Sequence, residues 1–177
     1  MRLLRLLSLA SLLALTACAS VHAPAGATFV IVRHAEKAND GTPDPPLNET
    51  GSARAQSLAQ RLSRTPLLAA YATSFKRTRQ TAQPAAALHA IAVTGYDAAE
   101  PASVFAARLR ARHDHGTVLV VGHSNTVPAI AAALCACAVA PLGDEEYDRI
   151  YTIHLDRQGR AALDQGWQSR PVDMTSP

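Results

Sequence analysis

Phe29-Val30-Ile31-Val32-Arg33-His34-Ala35-Glu36 is a run of four large apolar residues that stops at an arginine and a histidine. Three of the four are β-branched, which fits a strand buried on both faces in the middle of a parallel sheet. Charge cannot continue such a strand inward. Arg33 and His34 therefore belong at its carboxyl end, where open α/β sheets place their ligand crevices. Downstream, Thr117-Val118-Leu119-Val120-Val121-Gly122 repeats the form and runs straight into His123.

Working outward from these two strands, residues 37–47 carry Asn39-Asp40-Gly41, Pro43, Pro45 and Pro46 and must be a loop. Asn48 then reads as the N-cap of a helix with Glu49 in its first turn, and Ala55, Leu58, Ala59 and Leu62 form its apolar stripe. Residues 68–73 read as a second strand. Ser74 is the expected cap of a helix through Leu88, with Pro84 inside it predicted to bend it. Residues 90–96 are a third strand candidate, and Pro101 opens a helix to Arg112 with Phe105 and Leu109 inward. Asn125 or Thr126 opens a further helix through Leu134, with Pro128 in its first turn. The alternation of Tyr147, Tyr151, Ile153 and Leu155 with polar residues predicts a half-exposed edge strand, which Arg157-Gln158-Gly159-Arg160 turns into a last strand ending near Trp167. Strands alternating with helices imply an α/β fold, a three-layer α/β/α sandwich with a mostly parallel central sheet.

With 177 residues, 48% hydrophobic and 18% charged, the chain suffices for one globular domain with a full core and is cramped for two. Residues 1–17 have a basic start and an apolar run too short to span a bilayer, which is the form of a signal peptide. Leu15-Thr16-Ala17-Cys18 resembles the lipobox of bacterial lipoproteins, in which the leader is cut before an acylated cysteine. The expected organisation is thus a leader over 1–17, a lipidated Cys18 and tether over 18–27, a domain over 28–168 and a tail over 169–177. The expected location is the bacterial periplasm, anchored to the membrane by lipid. Removing Arg2 and Arg5 with the leader leaves 15 basic against 14 acidic residues, which gives no support to nucleic-acid binding. Cys135 and Cys137, spaced i, i+2 near a predicted helix end, read as two small buried thiols, because on a helix their sulfurs point apart. Two cysteines make no zinc pattern, and His113-Asp114-His115 reads as a polar helix end, so no metal or cofactor is expected.

Arg33 and His34 after one strand, Arg77 near a helix start and His123 after another strand bring basic groups to strand ends and helix N-termini. Such a crevice suits an anion, most simply a phosphate. Arg33-His34-Ala35, Leu47-Asn48-Glu49-Thr50-Gly51, Ser74-Phe75-Lys76-Arg77-Thr78-Arg79-Gln80-Thr81 and Val121-Gly122-His123-Ser124 resemble the successive blocks of the histidine phosphatase superfamily, in its phosphoglycerate mutase-like branch. The resemblance implies that fold, and phosphatase activity on a small phosphomonoester or phosphoramidate. It implies His34 as the nucleophile that becomes phosphohistidine, with Arg33, Arg77 and His123 gripping phosphoryl oxygens and Asn48 beside the substrate.

The chain departs from the family at Ala35, where the more familiar block has glycine, as bacterial phosphohistidine phosphatase-like members also do. Mutase-like members use a glutamate between the third and fourth blocks as general acid. Glu100 is the first candidate for that acid here, with Asp97 and Glu36 as alternatives. Without a poised acid, substrates with good leaving groups are favoured, phosphoramidates included. Two other readings compete: a non-catalytic envelope lipoprotein that binds a phosphorylated ligand, and a serine hydrolase using Ser124 in Gly122-His123-Ser124-Asn125-Thr126, which lacks the last glycine of a nucleophile elbow.

Overall fold

Side chains alternate along the first strand, and that alternation decides which helices cover which face. In the computed structural model, which describes residues 26–168, β1 (Thr28–Arg33) sends Val30 and Val32 into one apolar cluster and Phe29 and Ile31 into another. The Val30 cluster is closed by α1 (Glu49–Leu62) and α2 (Lys76–Leu88) through Leu58, Ala59, Leu62, Ala82, Ala85 and Ala86. The opposite cluster is closed by α3 (Ala102–Arg112) and α4 (Val127–Cys135) through Phe105, Leu109, Ile130 and Leu134. Fully burying an aliphatic or aromatic side chain of this size contributes about 1.5–3 kcal/mol, so both layers are held by the hydrophobic effect. The molecule is a three-layer α/β/α sandwich.

The sheet has six strands in the order β3-β2-β4-β1-β5-β6, with β2 (Leu67–Ala72), β3 (Val93–Gly95), β4 (Thr117–Gly122), β5 (Arg149–Leu155) and β6 (Ala161–Trp167). The pairings β3·β2, β2·β4 and β4·β1 are parallel, while β1·β5 and β5·β6 are antiparallel. Arg33 faces Gly122 in register, so the residues that follow both strands emerge side by side.

Several expectations are corrected. The alternating strand β5 is interior, paired to β1 and β6, and the edge belongs to β6. Tyr147 precedes it rather than lying within it. The third strand shrinks to three residues because Ala90, at φ 53°, and Ile91 still bond back to the last turn of α2. Ser74 does not cap α2; the Asp44 carboxylate, from the proline-rich loop, accepts the Lys76 backbone N–H at 3.0 Å. That helix runs through Pro84 without ending there. Cys135 and Cys137 are joined in a disulfide, with Cα atoms 5.2 Å apart. Ala136 between them adopts φ 52°, which breaks the helical direction and lets the two sulfurs meet. Asn48 caps α1 as expected, its side-chain oxygen accepting from Gly51 N–H.

The leader, Cys18, the tether up to residue 25 and the tail over 169–177 lie outside the described residues. Among the described residues, no helix is long and apolar enough to cross a membrane.

Candidate active site

The His34 backbone N–H donates to Gly122 O at 2.9 Å, which places the first residue after β1 against the last residue of β4. The His34 side chain is buried, with 4% exposure for the residue. Its Nδ1 lies 2.8 Å from Ala35 O. A carbonyl only accepts, so Nδ1 carries the hydrogen and Nε2 presents its lone pair. That lone pair accepts from Arg77 Nε–H at 3.2 Å. Burial, more than anything else, lowers the His34 pKa to about 4; the positive surroundings of Arg77, His123 and Arg33 add to this and the bond to Ala35 opposes it. The ring is therefore neutral at pH 7.

His123 stands next to it, with ring centroids 5.4 Å apart. Burial first, then Arg77 and Arg33, lowers its pKa to about 4 as well. Its Nε2 is 3.0 Å from Thr73 Oγ1, which in turn contacts Thr78 Oγ1 at 2.9 Å, while the Thr78 hydroxyl donates to Phe75 O at 2.8 Å. Because the Thr78 hydrogen goes to Phe75 O, the Thr73 hydroxyl donates to Thr78 Oγ1 and accepts from His123 Nε2–H. A Cβ at Gly122 would come within 2.7 Å of Tyr96 Oη and 2.8 Å of Thr126 Oγ1, so a larger residue there would have to displace both side chains.

Arg77 is supplied by the first turn of α2. Its guanidinium carbon lies 4.3 Å from the centre of the Phe75 ring, and Asp44 Oδ1 lies 3.7 Å from its Nη1. Thr81, one turn further on, accepts from Ala35 N–H at 2.9 Å and donates to Arg77 O at 2.7 Å, tying the turn after His34 to the turn that carries Arg77. The helix start adds its own partial positive charge. His34, Arg77 and His123, with Phe75, Ala98, Ser124, Asn125 and Thr126, line an open cavity of about 370 Å³.

Arg33 is close by but is not part of that lining. Its Nη1 donates to the carbonyls of Asp144 (2.7 Å), Gly143 (3.2 Å) and Glu146 (3.3 Å), and its guanidinium carbon sits 3.9 Å from the centre of the Tyr147 ring. Its Nε is buried without a partner. The Tyr147 ring also lies 6.1 Å from that of His34. The cradle formed by residues 143–147 was not foreseen, nor were Phe75 and Asp44. Phe75 sits inside a motif block already singled out, and its aromatic ring beside Arg77 was the available signal.

The carboxylates considered as general acids are not in the lining. Glu100 is paired with Arg108, two turns along α3, and Asp97 closes a local turn by accepting from Ala99 N–H. Glu36 accepts from Arg54 through both oxygens. Burial works against ionisation of Glu36, but the bonds to Arg54 prevail and hold its carboxyl below the usual range. Asn48 is engaged by its oxygen in the α1 cap and does not line the cavity. Ser124 lines it but makes no hydrogen bond to His34 or His123 among the described residues, so its hydroxyl has no base. His113 ends α3 and bonds Tyr71 Oη at 2.9 Å, and among the described residues no cluster of three or more His, Cys, Asp or Glu could hold a metal ion.

Residues 29–100 match the family model described as histidine phosphatase superfamily (branch 1). That stretch is less than half of the chain and holds β1, α1, β2, α2 and β3 with His34 and Arg77. Solved structures agree on the fold expected of this superfamily. A protein histidine phosphatase SixA complexed with tungstate is 20% identical, with a TM-score of 0.64 over 80% of this chain and 97% of that one. A phosphoserine phosphatase from Entamoeba histolytica, in complex with 3-phosphoglyceric acid, is 15% identical, with a TM-score of 0.61 over 81% and 97%. YhfR from Bacillus stearothermophilus is 19% identical, with a TM-score of 0.61 over 77% and 95%. No protein of curated function matches the sequence.

Proposed function

We propose that the protein is a phosphatase that hydrolyses a phosphoramidate or phosphomonoester through a phosphohistidine on His34. The observation that carries this reading is the contact from Arg77 Nε–H to the His34 Nε2 lone pair, in a ring kept neutral by burial and neighbouring cations. A phosphoryl group arriving opposite Nε2 takes over the Arg77 donor. The freed lone pair then forms the N–P bond as the bond to the leaving group breaks. Arg77 and His123 hold the oxygens as negative charge redistributes, the nearby Arg33 charge adds to the field, and catalysis is positioning plus electrostatics. Water enters the open cavity and attacks the phosphohistidine, which releases phosphate and restores the imidazole.

Because no carboxylate lines the cavity, a leaving group that departs unaided or takes its proton from solvent suits this site best. That favours phosphoramidates, phosphohistidine in a protein among them, over alkyl phosphates. The SixA structure is of a protein histidine phosphatase, and its likeness in fold supports the same preference. The protein is further proposed to be exported and anchored through Cys18, a reading favoured by the leader and the lipobox-like stretch. The Cys135–Cys137 disulfide suits an oxidising compartment.

The test compares phosphoramidate and aryl phosphate hydrolysis by the wild type and His34→Ala. We expect the phosphoramidate to be the better substrate and the variant to lose activity by about 10³-fold or more with its fold intact. Acid-labile, base-stable labelling of the wild type alone should identify the phosphohistidine. Binding of phosphorylated ligands without turnover would instead favour a non-catalytic envelope protein.

A further inference from the structure

The Cys135–Cys137 disulfide lies outside the cavity, at the C-terminal end of α4. A cross-link stabilises a fold chiefly by restricting the unfolded chain, and the restriction grows with the loop that is closed. Here a single residue separates the two cysteines, so little is restricted. That residue, Ala136, is held at φ 52°, a region unfavourable to any side chain with a Cβ. A bond that restricts little and holds an unfavourable turn is a poor staple. The two halves also differ in access. Cys135 is 8% exposed and belongs to the core cluster with Leu134 and Val127, whereas Cys137 is exposed. Exchange chemistry uses this asymmetry, since an incoming thiolate attacks the sulfur it can reach.

We propose that Cys135–Cys137 is a thiol–disulfide exchange site that takes a dithiol. A thiolate of the dithiol attacks Cys137 Sγ. The S–S bond breaks, and its electron pair leaves on Cys135 Sγ, which takes up a proton. The second thiol of the reductant, as thiolate, attacks its own sulfur in the mixed disulfide, closes the reductant's internal disulfide and releases Cys137, which is protonated in turn. Two electrons and two protons reach the protein and the dithiol is oxidised; reoxidation is the reverse. The phosphatase chemistry of His34 has no part in this, so the two proposals fail independently.

The experiment uses the purified full-length chain in a Cys18→Ser background, so that no third thiol is present. It is equilibrated with mixtures of reduced and oxidised dithiothreitol, quenched in acid, alkylated and weighed by intact mass. We expect reversible reduction with near-UV circular dichroism retained, and a Tm for the Cys135→Ala, Cys137→Ala double variant within about 5 °C of the parent. With single variants, the Cys137 thiol left by Cys135→Ser should react with an aromatic disulfide reagent at least about tenfold faster than the Cys135 thiol left by Cys137→Ser. A bridge that resists excess dithiothreitol until the protein unfolds would overturn the proposal. So would a Tm loss beyond about 10 °C in the double variant, or equal reactivity of the two thiols.

Discussion

The proposed nucleophile, His34, needs its Nε2 lone pair, and the structure keeps that lone pair available far into acid. A pKa near 4 against about 6.5 in an unfolded chain means that the unfolded state binds the proton first as pH falls. Stability should therefore be full above pH 6.5 and decline between pH 6.5 and 4, by roughly 3 kcal/mol for His34, with His123 adding in the same direction. Urea melts across this range should show the decline, and His34→Asn should flatten part of it. kcat/KM should fall only near pH 4, because protonation removes the lone pair. Tyr147 is the second residue to probe, since its ring packs on the Arg33 guanidinium. A cation–π contact of about 0.5–2 kcal/mol predicts that Tyr147→Ala lowers kcat/KM about 2- to 30-fold, while Tyr147→Phe keeps the ring and most of the rate. The two histidines were legible because each ends an apolar run, and Arg77 because it stands at a helix start within a motif block. Tyr147 was not, because its place beside Arg33 depends on the path of residues 143–147, which local pattern does not record. Glu100 was misplaced for a related reason: Arg108, two turns along, claims its carboxylate.

At the scale of elements, the start of α1 shows how tightly the loop after His34 is held. A Cβ on Gly51 would lie 2.1 Å from Glu36 O, and Asn48 N–H donates to that same carbonyl. Replacing a helical glycine by alanine ordinarily stabilises a helix by up to about 1 kcal/mol. Here the sign should reverse, with Gly51→Ala losing about 1–3 kcal/mol in chemical denaturation because backbone must shift to admit the methyl group. The apolar stripe of α1 and its Asn48 cap were readable, since both are local. The cap of α2 was not, because Asp44 reaches Lys76 from a loop distant in sequence. Alternation along β5 reported that one of its faces is covered, and it carries no information about which strands pair with its edges. The left-handed turn at Ala136, and with it the pairing of the two cysteines, lacked even the glycine that normally marks such a position.

For the whole molecule, the class of fold followed from strands alternating with helices, and the sandwich agrees. What lies beyond residues 26–168 rests on the proposed leader and lipid anchor, which fractionation can test. Cys18→Ser should move the protein from the membrane fraction to the soluble periplasmic fraction with its specific activity unchanged. Ala27 O accepts from Leu155 N–H at 2.8 Å, so the chain enters the domain at the amino end of β1, while the cavity opens at the carboxyl end. Six residues of strand separate the two ends by about 20 Å. A tether leaving the entry point would hold the sandwich by its base, with the mouth turned away from the lipid surface. Under the proposed anchoring, the substrates within reach would be soluble molecules and proteins of the aqueous compartment, rather than headgroups of the bilayer.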